Sequence, residues 1–224
     1  MFSGHIGVAL AIGRAERRVN PGVFIVAALL LDVVLWVCVL LGWESVSIPA
    51  DYPRHQPKFM FPYSHSLLAS LVWSALGGFV TYVMYYKVPN RVRLRVAALV
   101  VLAINSHWVL DVLVHEPELP LFGTASKVLG LGLWKDLPLA LVVETAIVLA
   151  GLLLFVPGSH LSRFRKLACL MLTLITLGFT IIGMTLVPAP PSIPAMAGSS
   201  LITIIIVCIL YYLIGRKRGH GVGA

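Results

Sequence analysis

The sequence predicts an all-α, polytopic helical membrane protein with about six transmembrane helices and a short N-terminal half-helix. Three observations lead there. The 224 residues are 59% hydrophobic and only 12% charged, whereas a soluble domain is about 45–50% apolar and about 25% charged. Apolar runs recur at the length of about 20 residues that a bilayer-crossing helix needs. Lys and Arg gather in short runs between those segments, alternating from side to side.

The elements follow in order. Phe2–Gly13 is apolar but too short to span, and reads as a half-length helix. No positive region precedes it, and Arg14, Arg17 and Arg18 follow it, the reverse of a secretory signal. Five spans are expected at Pro21–Gly42, His65–Tyr86, Val96–Val114, Leu137–Val156 and Leu167–Val187, and a shorter sixth at Ser199–Ile214. Pro188-Ala189-Pro190-Pro191, with Pro194, breaks the chain between the last two. The stretch His115–Asp136, with Pro117, Pro120, Gly123 and Gly130, is long enough to cover a site as a lid. No repeat and no composition shift is visible. One integral membrane domain, residues 1–224, is expected, with residues 1–157 carrying the candidate metal-site groups and residues 158–224 adding two C-terminal spans.

Charge sets the expected orientation. With the N-terminal arginines inside, all 17 Lys and Arg fall in inner loops except Arg54, Lys58, Lys127 and Lys135. Both termini are then expected on the cytoplasmic side of the cell (inner) membrane. Trp43 and Trp134 fall near outer helix ends, where aromatic belts sit. The net charge of +8 is a matter of topology rather than nucleic-acid binding, and no nucleic-acid partner is expected. The run Arg216-Lys217-Arg218 reads as a stop-transfer anchor touching anionic lipid. Cys38, Cys169 and Cys208 lie in apolar runs without CxxC spacing, so buried free thiols are expected.

Ionisable residues interrupt the apolar segments. Each costs roughly 2.5–3.5 kcal/mol on insertion scales. At about 1.5 Å per helical residue, Asp32 and His107 both lie about 18 Å above the inner ends of their helices, and Glu144 about 20 Å. Asp111 is one turn above His107, His65 opens its span at the outer mouth, and His5 matches Asp32 in height on an antiparallel half-helix. Equal depth is necessary for a shared site. His107 and Asp111, four apart, share a helix face, and His115 extends the stripe. Paired ligands on one face are how helical metal sites are built.

At these residues the chain resembles the YdjM-like membrane-bound metal-dependent hydrolases, and more distantly the zinc-dependent phospholipase C group. The matching features are His5 in a short apolar helix, Asp32 in the next apolar run, Ser64-His65-Ser66-Leu67-Leu68 opening a helix, Ser106-His107-Trp108-Val109-Leu110-Asp111, and Glu144 further on. They cover roughly the first two thirds of the chain. Two features depart from the family's pattern. Asp32-Val33-Val34 lacks a second Asp, and the stretch before His65 lacks a first His, with His55 further upstream as a candidate substitute.

The resemblance implies a hydrolase with a divalent metal ion, zinc the expected one. His65, His107 and Asp111 would hold it with help from His5, and Asp32 or Glu144 would accept a proton. An outward-opening site makes a lipid or lipid-linked (phospho)ester the natural substrate, and membrane lipids the partners. The oligomeric state is not legible. Two other classes stay open. One is a proton-coupled transporter using Asp32, Asp111 and Glu144 as a relay. The other is a non-catalytic scaffold. In that reading His107 and Asp111 are a buried hydrogen-bonded pair, His65 sits at a helix start capped by Ser64, and His5 is a solvated terminal residue. Glu144 then satisfies a backbone gap, His115 is interfacial, and Asn105 and Ser106 bond neighbouring helices. His160 and His220, in inner basic loops, are expected bystanders.

Overall fold

The computed structural model describes residues 1–49 and 57–216; Arg54, His55, Lys217, Arg218 and His220 lie outside the described residues. Among these residues the chain is mostly helical, with eight α-helices and two small β-hairpins. The helices are α1 (Phe2–Gly13), α2 (Pro21–Ala28), α3 (Leu30–Leu40), α4 (Leu67–Met84), α5 (Asn90–Val114), α6 (Leu137–Phe155), α7 (Arg163–Thr185) and α8 (Ile193–Gly215). The last five are long and apolar enough to cross a membrane, and the α2–α3 pair makes a sixth span if counted as one. The strands β1 (Ser45–Ser47) and β2 (Lys58–Met60) pair antiparallel between α3 and α4. The strands β3 (Leu119–Pro120) and β4 (Val128–Leu129) pair between α5 and α6.

Three boundaries differ from expectation. The single span expected at Pro21–Gly42 is two helices bent by 45° at Leu29, whose φ of −101° and ψ of 4° leave the helical region. No Pro or Gly lies at the break. A side chain entering the hydrogen-bond ladder also kinks helices, and here His107 Nδ1 lies 2.6 Å from the carbonyl of Ala28. Second, Pro194 does not extend the breaker. It sits in the first turn of α8 behind Ser192, which caps the Ala195 amide at 3.3 Å. Proline is tolerated there because the first-turn amides have no intrahelical acceptor. Third, α5 and α7 start earlier than their apolar cores and absorb Arg91, Arg93, Arg95 and Arg163, Arg165, Lys166, whose long stems let the charge reach water.

The half-helix α1 matches its expected bounds. It is apolar all round and nearly every residue is buried, as a helix at the centre of a bundle requires. It packs against α6, α2, α5 and α7. The α1–α6 contact is backbone on backbone. A Cβ on Gly7 would lie 2.8 Å from the carbonyl oxygen of Ile147, and a Cβ on Gly151 would strike the carbonyl of Gly7. Small residues at such crossings let membrane helices approach closely. The α4–α5 pair uses the same device, with Ser70, Ser74, Gly78 and Thr81 on the buried side of α4.

Glu16 joins the turn after α1 to its neighbours. It accepts from Arg18 at 2.9 Å and lies 3.7 Å from Arg95 of α5. The Arg18 hydrogen bond holds its carboxyl below the usual carboxylate range. Cys38, Cys169 and Cys208 are free thiols, the first two buried.

Gly151→Ala should destabilise the protein by about 1–3 kcal/mol through overpacking, read as a lower melting temperature in detergent. Gly178→Ala, where an added Cβ meets nothing within 4 Å, should not.

Candidate metal centre

Each side chain of the centre is delivered by a local feature. The buried face of α5 runs Val96, Val100, Ala103, Ile104, His107, Asp111 and Val114. The three- and four-residue spacing that buries the aliphatic side chains therefore buries the imidazole and carboxylate with them. Asp32 lies in the first turn of α3, where a negative charge is favoured by the helix N-terminus. His5 lies on the central helix α1 and is 1% exposed.

His65 precedes α4 rather than starting it. The cap is Ser66, which accepts from the Ala69 amide at 3.0 Å, and not Ser64 as expected. The loop before α4 is pinned to α5 by Trp108, whose indole N–H donates to the carbonyl of His65 at 2.9 Å.

The side chains converge. His107 Nε2 lies 3.0 Å from Asp111 Oδ2, 3.2 Å from His65 Nε2 and 3.6 Å from Asp32 Oδ1. His65 Nε2 lies 3.4 Å from Asp111 Oδ2 and 3.7 Å from Asp32 Oδ1. His5 Nε2 lies 3.3 Å from Asp111 Oδ1, and its ring stacks on His107 with centroids 3.7 Å apart. Two overlapping groups could hold a metal ion, His5–Asp32–His107 and His65–His107–Asp111, and His107 belongs to both. A tetrahedral ion with bonds of about 2.0–2.1 Å keeps its ligand atoms about 3.3–3.4 Å apart. The observed separations bracket that value.

Proton positions follow from the outer partners. The carbonyl of Ala28 can only accept, so His107 Nδ1 carries a hydrogen. The hydroxyl of Ser64 donates to Glu44 Oε2 at 2.7 Å, so it accepts from His65 Nδ1, 2.8 Å away. A neutral imidazole has one N–H. With both rings neutral, the two Nε2 atoms present lone pairs to each other across 3.2 Å, an arrangement that either a proton on one ring or a cation between them satisfies. Two further atoms are unsatisfied. Among the described residues, His5 Nδ1 and Asp111 Oδ1 are buried without a hydrogen-bond partner; the Met1 amino nitrogen lies 3.5 Å from that oxygen. The donor set of imidazoles and carboxylates suits zinc and similar divalent ions.

Glu144 is buried but lies outside both groups. Its Oε1 accepts from the amide of Gly4 at 3.0 Å, which satisfies one of the orphan donors at the start of α1 one residue before His5. His115 also stands apart. Its Nδ1 lies 2.5 Å from Glu118 Oε1, and its ring packs on Trp134 at 4.3 Å. Asn105 reaches α4 through Ser70 at 3.4 Å, whereas Ser106 bonds its own helix at Ala103.

Sequence reading missed Glu44. It is 3% exposed and also accepts from the amides of Tyr63 and Ser64, each at 2.8 Å. An acid just past an apolar run reads as interfacial, and only its distance from the next helix start hints at more. The missed backbone partner, the Ala28 carbonyl, has no side-chain signal at all.

The fold and the cluster together define a multi-pass membrane protein with a buried His/Asp centre able to hold a metal ion. No family model matches the chain, and neither the curated proteins nor the solved structures contain a match.

Glu44→Ala should lower divalent-metal affinity about 10–100-fold by releasing the His65 ring, measured by competition against a chelating dye. Unchanged affinity would show that Ser64 orients His65 unaided.

Proposed function

We propose that the protein is a membrane-embedded metal-dependent hydrolase of a lipid or lipid-linked (phospho)ester, with zinc as the ion and a site open to the non-cytoplasmic side. The observation that carries this reading is the convergence of His65 Nε2, His107 Nε2 and Asp111 Oδ2, all within 3.4 Å of one another and buried. The resemblance of these positions to the YdjM-like hydrolases supports it.

In this reading His65, His107 and Asp111 hold the ion, and His5 completes the set from α1. A bound divalent ion supplies Lewis acidity to a phosphoryl or carbonyl oxygen and eases deprotonation of water near neutral pH. Asp32 is the most exposed of the five groups, its side chain 21% accessible against 3% or less for the others. It borders the adjoining cavity. In this reading it takes a proton from an attacking water and passes it to the leaving oxygen. Glu144 holds the start of α1, and so positions His5 rather than meeting the substrate.

One feature favours a second reading. A broken helix beside buried carboxylates is also built into proton-coupled transporters, and the α2–α3 break lies three residues before Asp32. In the hydrolase reading that break serves to free the Ala28 carbonyl for His107. Substrate-driven proton flux in proteoliposomes, without hydrolysis, would favour the transporter.

Purified protein should carry a stoichiometric divalent metal by elemental analysis, and His107→Ala, which removes the side chain common to both groups, should lose it while the protein still elutes as a folded species. Asp32→Asn should lower hydrolysis of a lipid phosphoester about 10²–10⁴-fold. A metal-free wild type, or a His107→Ala variant that simply unfolds in a metal-independent way, would favour the scaffold class.

A further inference from the structure

A cavity of about 350 Å³ adjoins the centre, within the range of about 300–1,000 Å³ typical of small-molecule sites. Asp32, His65 and Asp111 line it together with α3, α7 and α8, and the start of α1, Phe59, Phe61, His115 and Trp134 complete the lining. The two C-terminal helices carry no motif, yet they build this wall. Near one end they are tied by a bond between the Thr173 and Tyr211 hydroxyls, 2.6 Å and buried. Gly183 lies ten residues along α7, about 15 Å away, and there the helices border the cavity. Beside the cluster, Ser3 and Thr180 close the α1–α7 contact with a 2.6 Å hydroxyl pair.

The wall is largely apolar and adaptable, with Thr180, Ser199, Ser200 and Thr203 as its hydroxyl groups. Leu35, Trp36, Phe179, Met184, Met196 and Ile204 face the space, and the methionines supply flexible, polarizable surface. A Cβ built on Gly183 meets nothing within 4 Å. An apolar pocket ending in a few convergent charged groups fits an amphiphile, with its tail in the pocket and its polar end at the charges.

We propose that the cavity between α3, α7 and α8 seats one hydrocarbon chain of an amphiphile whose phosphoester head lies against Asp32, His65 and Asp111. The placement of the head rests on the hydrolase reading above; the seat of the chain does not need it. Acyl phospholipids and isoprenoid-linked phosphates share this chemistry.

The test uses full-length protein in proteoliposomes doped with either a phosphatidylglycerol or an isoprenoid phosphate, each carrying a diazirine near the end of its chain. Photolabelling should map to Met184 and Met196. Gly183→Phe, which fills the cavity, should reduce it about tenfold or more, the effect expected for overpacking of a bound chain. Gly178→Phe, also in open space but away from the cavity lining, should leave it unchanged. Labelling by one probe alone identifies the source of the chain, and labelling by both supports a general chain seat. Labels confined to outward residues such as Ile182 and Ile202, equal in all three proteins, would overturn the proposal. If the wild type binds no metal and turns over no lipid yet still labels Met184, the hydrolase reading falls and the chain seat stands.

Discussion

The absence of water around helices in a bilayer is the constraint on which this structure turns. A carboxylate or imidazole inside the bundle has no solvent to satisfy it, so it must find fixed partners. This chain meets the requirement in two layers. The outer layer is made of groups that do not change charge: the Ala28 carbonyl behind His107 and the Ser64 hydroxyl behind His65, with Glu44 holding Ser64 in turn. The inner layer is what those partners leave behind, two Nε2 atoms and the carboxylates of Asp32 and Asp111 gathered together. The irregular parts of the fold serve the outer layer. The bend at Leu29 presents the carbonyl, and the non-helical turn at Ser64–His65 presents the hydroxyl.

Much of the fold could be read from the sequence because the length and apolarity of a membrane helix are written locally. The bounds of α1 and the existence of five or six apolar spans needed nothing else. What escaped depended on contacts between segments. The bend between α2 and α3 has no Pro or Gly to announce it, since its cause is a histidine 79 positions away. The early starts of α5 and α7 escaped because Arg and Lys were counted as loop residues, although their stems can climb out of a helix end.

The site divides in the same way. The spacing of His107 and Asp111, and the depths read for His5, Asp32 and His65, put at a similar height side chains that the structure brings together. Depth says nothing about azimuth, and azimuth separates Glu144 from the cluster. It accepts from the Gly4 amide of α1 instead, the backbone-satisfying role set beside the catalytic one. Glu44 was invisible because its significance lies in what Ser64 does with its proton. The contribution of α7 and α8 was invisible because Ser, Thr and Met facing a cavity look like Ser, Thr and Met facing another helix.

The central position of α1 carries a consequence for biogenesis. Twelve residues are too few to anchor themselves across the hydrocarbon, and the carboxylate that accepts from the Gly4 amide, Glu144, lies 140 positions downstream. Gly7 likewise has its closest backbone neighbour at residues 147–151. During synthesis His5 therefore has no seat until α6 has left the ribosome and entered the bilayer, so the His/Asp cluster is completed only after that helix has packed.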